Sequence, residues 1–160
     1  MSAWPKAAVV GVLVVVAAAC LRPDAEPASG TSPGGLLLPA DHGDGDSWRD
    51  THGREYRLGL VNAPEVDECF GDRATTERQR LTAGGFRAEV YATDRYGRGV
   101  SVVTLADGRN LNVHLARQGF ADDRYLDDLR HEHPALAAEL DTAFAEARRE
   151  ERGLWGACRR

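Results

Sequence analysis

The hydrophobic period of this chain changes once, near residue 109, and that change limits the folds open to it. Upstream, apolar residues recur at every second position. Tyr56, Leu58 and Leu60 alternate with Arg57, Gly59 and Val61. Phe86, Ala88 and Val90 alternate with Arg87, Glu89 and Tyr91, and Val100 and Val102 with Ser101 and Val103. Successive strand side chains point to opposite faces, so this pattern predicts short, half-buried strands. Thr-His-Gly at 51–53, Tyr-Gly-Arg-Gly at 96–99 and Asp-Gly at 107–108 supply the turns between them. One helix is predicted in this half, from Arg73 to Thr82. Downstream the spacing becomes helical. Leu111, His114 or Leu115 and Gln118 fit a short helix ended by Gly119. A longer helix follows Pro134, a residue suited to a first helical position, with Leu136, Leu140, Phe144 and Ala147 on one face and Gly153 as its stop. Leu154 and Trp155 are expected to fold back onto the core. Strands first and helices afterwards predicts an α+β fold, a small curled sheet capped by about three helices.

The chain is 160 residues long and shows no internal repeat, which suits one domain. Its first residues read as an export signal. Lys6 precedes an apolar run from Ala7 to Val16, then Ala17 to Ala19, then Cys20. The run is shorter than the ~20 residues of a spanning helix. Residues 1–19 are therefore expected to be a signal peptide. Cys20 directly after three alanines also has the form of a lipidation site, so two outcomes stay open: a lipid anchor on Cys20 at a bacterial cell surface, or cleavage and release. Residues 20–35, rich in Pro, Gly, Ser and Ala, predict a disordered tether, with the folded part over 36–160.

Loss of residues 1–19 removes the single lysine and no acid, so the formal charge moves from −5 to −6. That lowers the expectation of a nucleic-acid binder, whose affinity rests on phosphate neutralisation, although a local patch can differ from the whole. Of the three cysteines, Cys20 belongs to the signal or lipid site. The even pair left in an exported protein implies a Cys69–Cys158 disulfide, with two free thiols as the alternative. Closing a loop of about 90 residues contributes about 4 kcal/mol in the chain-entropy model.

Three stretches carry chemistry, and none is specific alone. In ADHGDGDSW, residues 40–48, Asp41, Asp44 and Asp46 sit on a Gly-rich turn of hard oxygen ligands, the kind Ca²⁺ takes; a solvated acidic loop is the plainer reading. In RLGLVNAPE, residues 57–65, Arg57 and Glu65 flank a strand end. In TDRYGRGV, residues 93–100, Arg98 and Tyr96 occupy a tight turn, where an ordinary hairpin arginine and a packing aromatic would also fit. His131 and His133 bracket Glu132, and His42 and His52 lie near the acidic turn. No H-E-x-x-H or paired C-x-x-C spacing accompanies them, so loop and cap histidines are expected rather than zinc ligands. The acids between Asp122 and Asp128 read as a solvated face.

The order of these stretches is more informative than any one of them. DGDS, then R-x-x-x-V-N-A-P-E, then D-R-Y-G-R-G, then N-x-x-L-A-R-Q-G-F, then a last helix running into G-L-W-G resembles the staphylococcal-nuclease-like (thermonuclease) family, from about Asp44 to Trp155. The resemblance implies a five-stranded OB-fold barrel with three helices and a Ca²⁺-dependent phosphodiesterase site acting on DNA and RNA, in a monomer. It implies Asp46 as a metal ligand, Arg57 and Arg98 as the phosphate clamp and Glu65 as the base that activates water. It places Tyr96 and Tyr125 at the nucleotide. Two positions depart from the family pattern. Asn62 stands where a second metal carboxylate is usual, so weaker metal affinity is expected. Ala63 replaces a Thr whose contribution is its backbone carbonyl, which Ala can supply. LLLPADHG suits a first barrel strand poorly because of Pro39 and Gly43, so a shortened or irregular first strand stays open. The alternative function is a catalytically degraded domain of the same fold acting as a surface binding module. Asn62 and the negative charge favour it; Asp46, Arg57, Glu65 and Arg98 favour the enzyme.

Overall fold

The computed structural model describes residues 35–40, 43–127 and 130–158. The expected signal peptide, Cys20 with its lipid, almost all of the tether, and Asp41 and His42 of the acidic turn lie outside the described residues. Five strands and four helices run in the order β1 (Pro39–Ala40), β2 (Ser47–Asp50), β3 (Glu55–Leu58), α1 (Gly71–Thr82), β4 (Phe86–Thr93), β5 (Gly99–Leu105), α2 (Leu111–Gln118), α3 (Pro134–Arg149) and α4 (Leu154–Ala157). The sheet order is β1-β2-β3-β5-β4, antiparallel except for the parallel β3–β5 pair. Leu37, just before β1, exchanges two backbone hydrogen bonds with Phe86 at the start of β4, at 2.7 and 2.9 Å. The two outer strands are thereby joined and the sheet closes. Closure removes exposed edges and leaves one interior to fill. This is the α+β, five-stranded OB-fold barrel that the sequence led us to expect.

The interior is filled from the predicted periodicities. Trp48, Tyr56 and Phe86 meet edge-to-face or tilted, with centroids 5.2 to 6.0 Å apart. Leu58, Val103, Leu105, Leu111, Leu115, Leu140 and Phe144 complete the core. β5 is the exception in phase: Ser101, Val103 and Leu105 face inward, while Val100 and Val102, expected on the apolar face, are half-buried. The three expected turns share one device, an aspartate whose Oδ1 accepts the amides that follow: Asp50 from His52 and Arg54, Asp94 from Tyr96 and Arg98, Asp107 from Arg109. Gly97 adopts φ 86°, a backbone conformation that other residues reach only at a cost. Asn110 caps α2 by accepting from the Val113 amide, and Gly119 ends it at φ 71°.

Three expectations need correction. The alternation in β4 fails beyond Val90, which is 50% exposed, because a bulge shifts the register between Val90 and Ala92. Tyr91 packs its ring on His133, centroids 4.4 Å apart, and its hydroxyl lies where a Cβ on Gly59 would be. Gly153 does not stop α3. That helix ends at Arg149 with Glu150 as C-cap, and Gly153 is the residue before α4. The acids after residue 121 are not simply a solvated face. Asp122 pairs its backbone with Asn62, Asp123 meets Arg148, and Asp127 meets Arg130. The first strand is short, as Pro39 and Gly43 suggested. Leu154 is buried and Trp155 packs against the core. Cys69 and Cys158 are bonded, with Cα atoms 5.9 Å apart. Among the described residues no helix is long and apolar enough to cross a membrane.

Asn112 is the main polar strut of the barrel. It is fully buried, its Oδ1 accepts from the Val103 amide, and its Nδ2 donates to the Gly59 and Ser101 carbonyls at 2.9 and 3.3 Å. Truncation strands a buried amide and a buried carbonyl, each costing about 1–3 kcal/mol. Asn112→Ala is expected to lower the urea-unfolding free energy by about 2–4 kcal/mol; a change within about 0.5 kcal/mol, the scale of a neutral surface substitution, contradicts this account.

Candidate active site

Strand register brings the conspicuous residues together. Arg57 on β3 lies opposite Ser47 on β2 and Val100 on β5. Asp46 immediately precedes β2 and Arg98 immediately precedes β5; these strands run in opposite directions, and it is the long Arg98 side chain that reaches across the register to Ser47. The chain leaves β3 at Leu58 and bends through Leu60, whose φ of 65° is unusual for a non-glycine side chain. Complete burial of Leu60 holds that bend. Asn62 then returns beside Arg57.

The result is one continuous polar chain. The Arg57 guanidinium forms an ion pair with Asp46 and donates to the Asn62 amide oxygen at 3.1 Å. Asp46 also accepts from the Ser47 hydroxyl, at 3.0 Å, and from the Ala63 amide. Ser47 Oγ in turn accepts from Arg98 Nη1 at 3.0 Å, while Arg98 Nε donates to Asp94 at 2.7 Å. Asp44 faces inward on its own turn, its Oδ1 accepting the amides of Asp46 and Ser47. The Asp46 side chain is 1% exposed and that of Arg57 14%, so this pair is shielded from water. Burial pushes the Arg57 guanidinium down from its ordinary range. Asp44 draws it back up, Arg98 pushes it further down, and Tyr125 and Glu65 draw it up.

Beside this chain opens a cleft of about 510 Å³, lined by Arg57, Arg98, Arg95, Tyr96 and Tyr125 over a floor of Leu58, Gly59, Leu60 and Val100. Tyr96 and Tyr125 are 65% and 40% exposed, and the Arg95 guanidinium lies 4.7 Å from the Tyr96 ring centre. The Arg98 guanidinium lies 5.3 Å from the Tyr96 ring centre, and that of Arg57 5.6 Å from the Tyr125 ring centre. Asp46, Arg57, Asn62, Ala63 and Arg98 are thus gathered in one bonded group, with Tyr96 and Tyr125 on the cleft wall. Glu65 is placed differently. It is exposed, and among the described residues its carboxylate has no hydrogen-bond or ion-pair partner, although its charge acts on Arg57. Sequence reasoning missed Ser47, Asp94 and Arg95. Asp94, four residues before Arg98 on a turn, was the most readable of these.

Among the described residues no three His, Cys, Asp or Glu side chains form a metal cluster. The Asp46 carboxylate, the Asn62 amide oxygen and the Ala63 carbonyl are nevertheless all hard oxygen donors, the type Ca²⁺ takes. Asp46 and Asn62 face the same guanidinium, so the donor set fits such a cation in kind, with a single negative charge among the three.

Removing one member of a shielded ion pair leaves the other uncompensated, typically at about 3–5 kcal/mol. Asp46→Ala is expected to destabilise the protein by about 3 kcal/mol in urea unfolding. The Asp46→Ala, Arg57→Ala double variant should lose less than the sum of the single changes. Additive losses contradict the pairing.

The chain is similar to known proteins over most of its described length. The model of the family described as Staphylococcal nuclease homologue matches residues 55–157. The span starts after the DGDS turn, so Asp46 is tied to the site by its contacts with Arg57 and Ala63. A protein named Uncharacterized endonuclease from Escherichia coli O157:H7 is 34% identical over 116 residues, 70% of this chain and 71% of that protein. One of the same name from Escherichia coli matches to the same extent. The Micrococcal nuclease of Shigella flexneri is 35% identical over 111 residues, 62% of this chain and 59% of that protein. With its barrel, its paired arginines and this match over most of its folded length, the chain belongs to the staphylococcal nuclease homologue family.

Proposed function

We propose that this protein is an exported, Ca²⁺-dependent nuclease that hydrolyses phosphodiester bonds of DNA and RNA. The observation that carries the reading is the bonded chain Arg57–Asp46–Ser47–Arg98 at the mouth of an aromatic-walled cleft. Phosphodiester hydrolysis must neutralise charge growing on the phosphate oxygens. Two guanidiniums, each able to donate two parallel hydrogen bonds, suit that task better than ammoniums. Arg57 and Arg98 take the phosphate. Asp94 and Ser47 hold Arg98 in place, and Asp46 is the counter-charge that keeps Arg57 in the barrel wall until a phosphate arrives. Asp46, Asn62 and the Ala63 carbonyl would hold the cation, which when bound adds Lewis acidity and orients the phosphate. Glu65 accepts the proton of the attacking water as the oxygen–phosphorus bond forms and the bond to the 5′-oxygen breaks. Tyr96 and Tyr125 stack the flanking bases. Export, with either lipidation of Cys20 or release after residue 19, accords with the leader-like sequence and with the Cys69–Cys158 bond.

The rival reading, a binding module of the same fold, is favoured by Asn62 and by the charge of −6. Digestion of plasmid DNA and RNA with Ca²⁺ or with a chelator separates the two. Wild type is expected to digest both with Ca²⁺ only. Glu65→Ala should lose about 10²–10⁴ in kcat, the range of a general base, and Arg98→Ala about 10²–10³, the range of a transition-state donor. Equal digestion by wild type and Glu65→Ala, or none at any Ca²⁺ level, leaves the binding module. Asn62→Asp is expected to lower the Ca²⁺ concentration needed for half-maximal activity; an unchanged requirement removes position 62 from the cation. Mass spectrometry of the mature N-terminus distinguishes a lipidated Cys20 from a free one.

A further inference from the structure

We propose that the Cys69–Cys158 disulfide positions Glu65, so that the thiol–disulfide state of this bond sets the activity of the site. The inference rests on the nuclease reading and adds a regulation to it. Its starting point is that the segment carrying Glu65 is held by local backbone contacts, among them the Glu65 amide donating to Glu68 Oε2 at 3.1 Å, and by no buried side chain. Residues 65–69 are all exposed. A segment without buried side chains opens easily, because few contacts resist its departure. Upstream, the chain is well fixed: Asn62 exchanges two backbone hydrogen bonds with Asp122, at 2.7 and 3.0 Å, and the Ala63 amide bonds to Asp46. Downstream it is fixed again from Phe70, whose ring lies 5.5 Å from Phe120, into α1.

Between these anchors the backbone makes two tight turns, Glu68 N–H to the Glu65 carbonyl at 2.9 Å and Gly71 N–H to the Glu68 carbonyl at 3.0 Å. Gly71 lies so close to the Glu65 carbonyl that a Cβ there would overlap it. The covalent tie falls at the downstream end of this stretch, at Cys69, four residues after Glu65. Its partner Cys158 is seated by α4, whose Leu154 is buried and donates its amide to the Gly119 carbonyl at 2.8 Å. The disulfide therefore pins an otherwise solvent-facing turn to a part of the molecule that is docked on the core.

The bond is within reach of a small thiol. Cys69 is exposed, and both cysteines line an open cavity of about 550 Å³ together with Glu68, Asp122, Asp123 and Arg124. Two molecules of a monothiol such as reduced glutathione, or one dithiol, supply the two electrons and two protons that convert the disulfide to two thiols, and leave as their own disulfide. In a reducing compartment the turn is released and Glu65 loses its place. In an oxidising one the bond forms and the site is complete. A chain of this kind is latent where it is made and active where it is delivered.

The test uses the purified mature chain with Ca²⁺ and an RNA or plasmid substrate, before and after treatment with dithiothreitol, with free thiols counted in parallel. Reduction, and the Cys158→Ser variant, are expected to lower kcat at least about tenfold with KM changed less than about threefold, the signature of a misplaced catalytic group. Circular dichroism and a cooperative melt should persist, and amide exchange should rise first over residues 64–71. Reoxidation should restore the rate. A reduced enzyme that turns over at the oxidised rate overturns the proposal. So does loss of the whole fold on reduction or in Cys158→Ser, which would make the bond a general staple. If the oxidised protein cleaves nothing, the nuclease reading fails, while amide exchange over 64–71 still decides whether the disulfide holds this turn.

Discussion

A guanidinium set into the wall of a small barrel requires a counter-charge beside it, because water can no longer screen it. Arg57 meets that requirement through Asp46, and much of the local architecture serves the pairing. Asp44 shapes the turn that presents Asp46, Ser47 and the Ala63 amide fix the carboxylate, and Asn62 takes a remaining guanidinium hydrogen. The bend at Leu60 brings Asn62 and Ala63 back to it. The barrel end is thus organised around one ion pair, and Arg98 joins through the Ser47 hydroxyl. A group held this way is preorganised, with little freedom to reorient.

Whole-chain charge gave poor guidance to this site. The protein is acidic overall, yet three arginines line the cleft, with Asp94 and the buried Asp46 as nearby acids. Most other arginines are held by acids around the surface, as in Arg130 with Asp127 and Asp141 and Arg152 with Glu146 and Glu150. Their charges cancel locally, whereas the cleft has three arginines against the two acids Asp94 and Asp46. Potential at a concave site depends on this kind of distribution more than on the sum.

The barrel and helices were legible because burial writes its period into the sequence. α1, α2 and α3 began within two residues of where spacing and capping put them, and Pro134 and Gly119 marked the ends expected of them. Period could not foresee the β4 bulge, which answers to Tyr91 packing on His133 and covering Gly59, residues far apart along the chain. Nor could it see that Glu150 rather than Gly153 closes α3. The meeting of Asp46, Arg57 and Arg98 came from resemblance to a family rather than from pattern, since each is an ordinary charged residue in isolation. The role of Ser47 and the backbone bridge from Asp122 to Asn62 were missed because these partners lie at distances along the chain that no local signal spans.

The 89 residues between Cys69 and Cys158 also bear on timing. A polypeptide made from its N-terminus at about 5–20 residues per second exposes Cys69 roughly 4 to 18 s before its mate has been synthesised. Over that interval α2 and α3 are still being made, and until near its end Gly119 has no Leu154 to receive. The segment that carries Cys158 is therefore the one that fastens a turn made 89 residues earlier, and closure of this bond is a late event in the folding of each new chain.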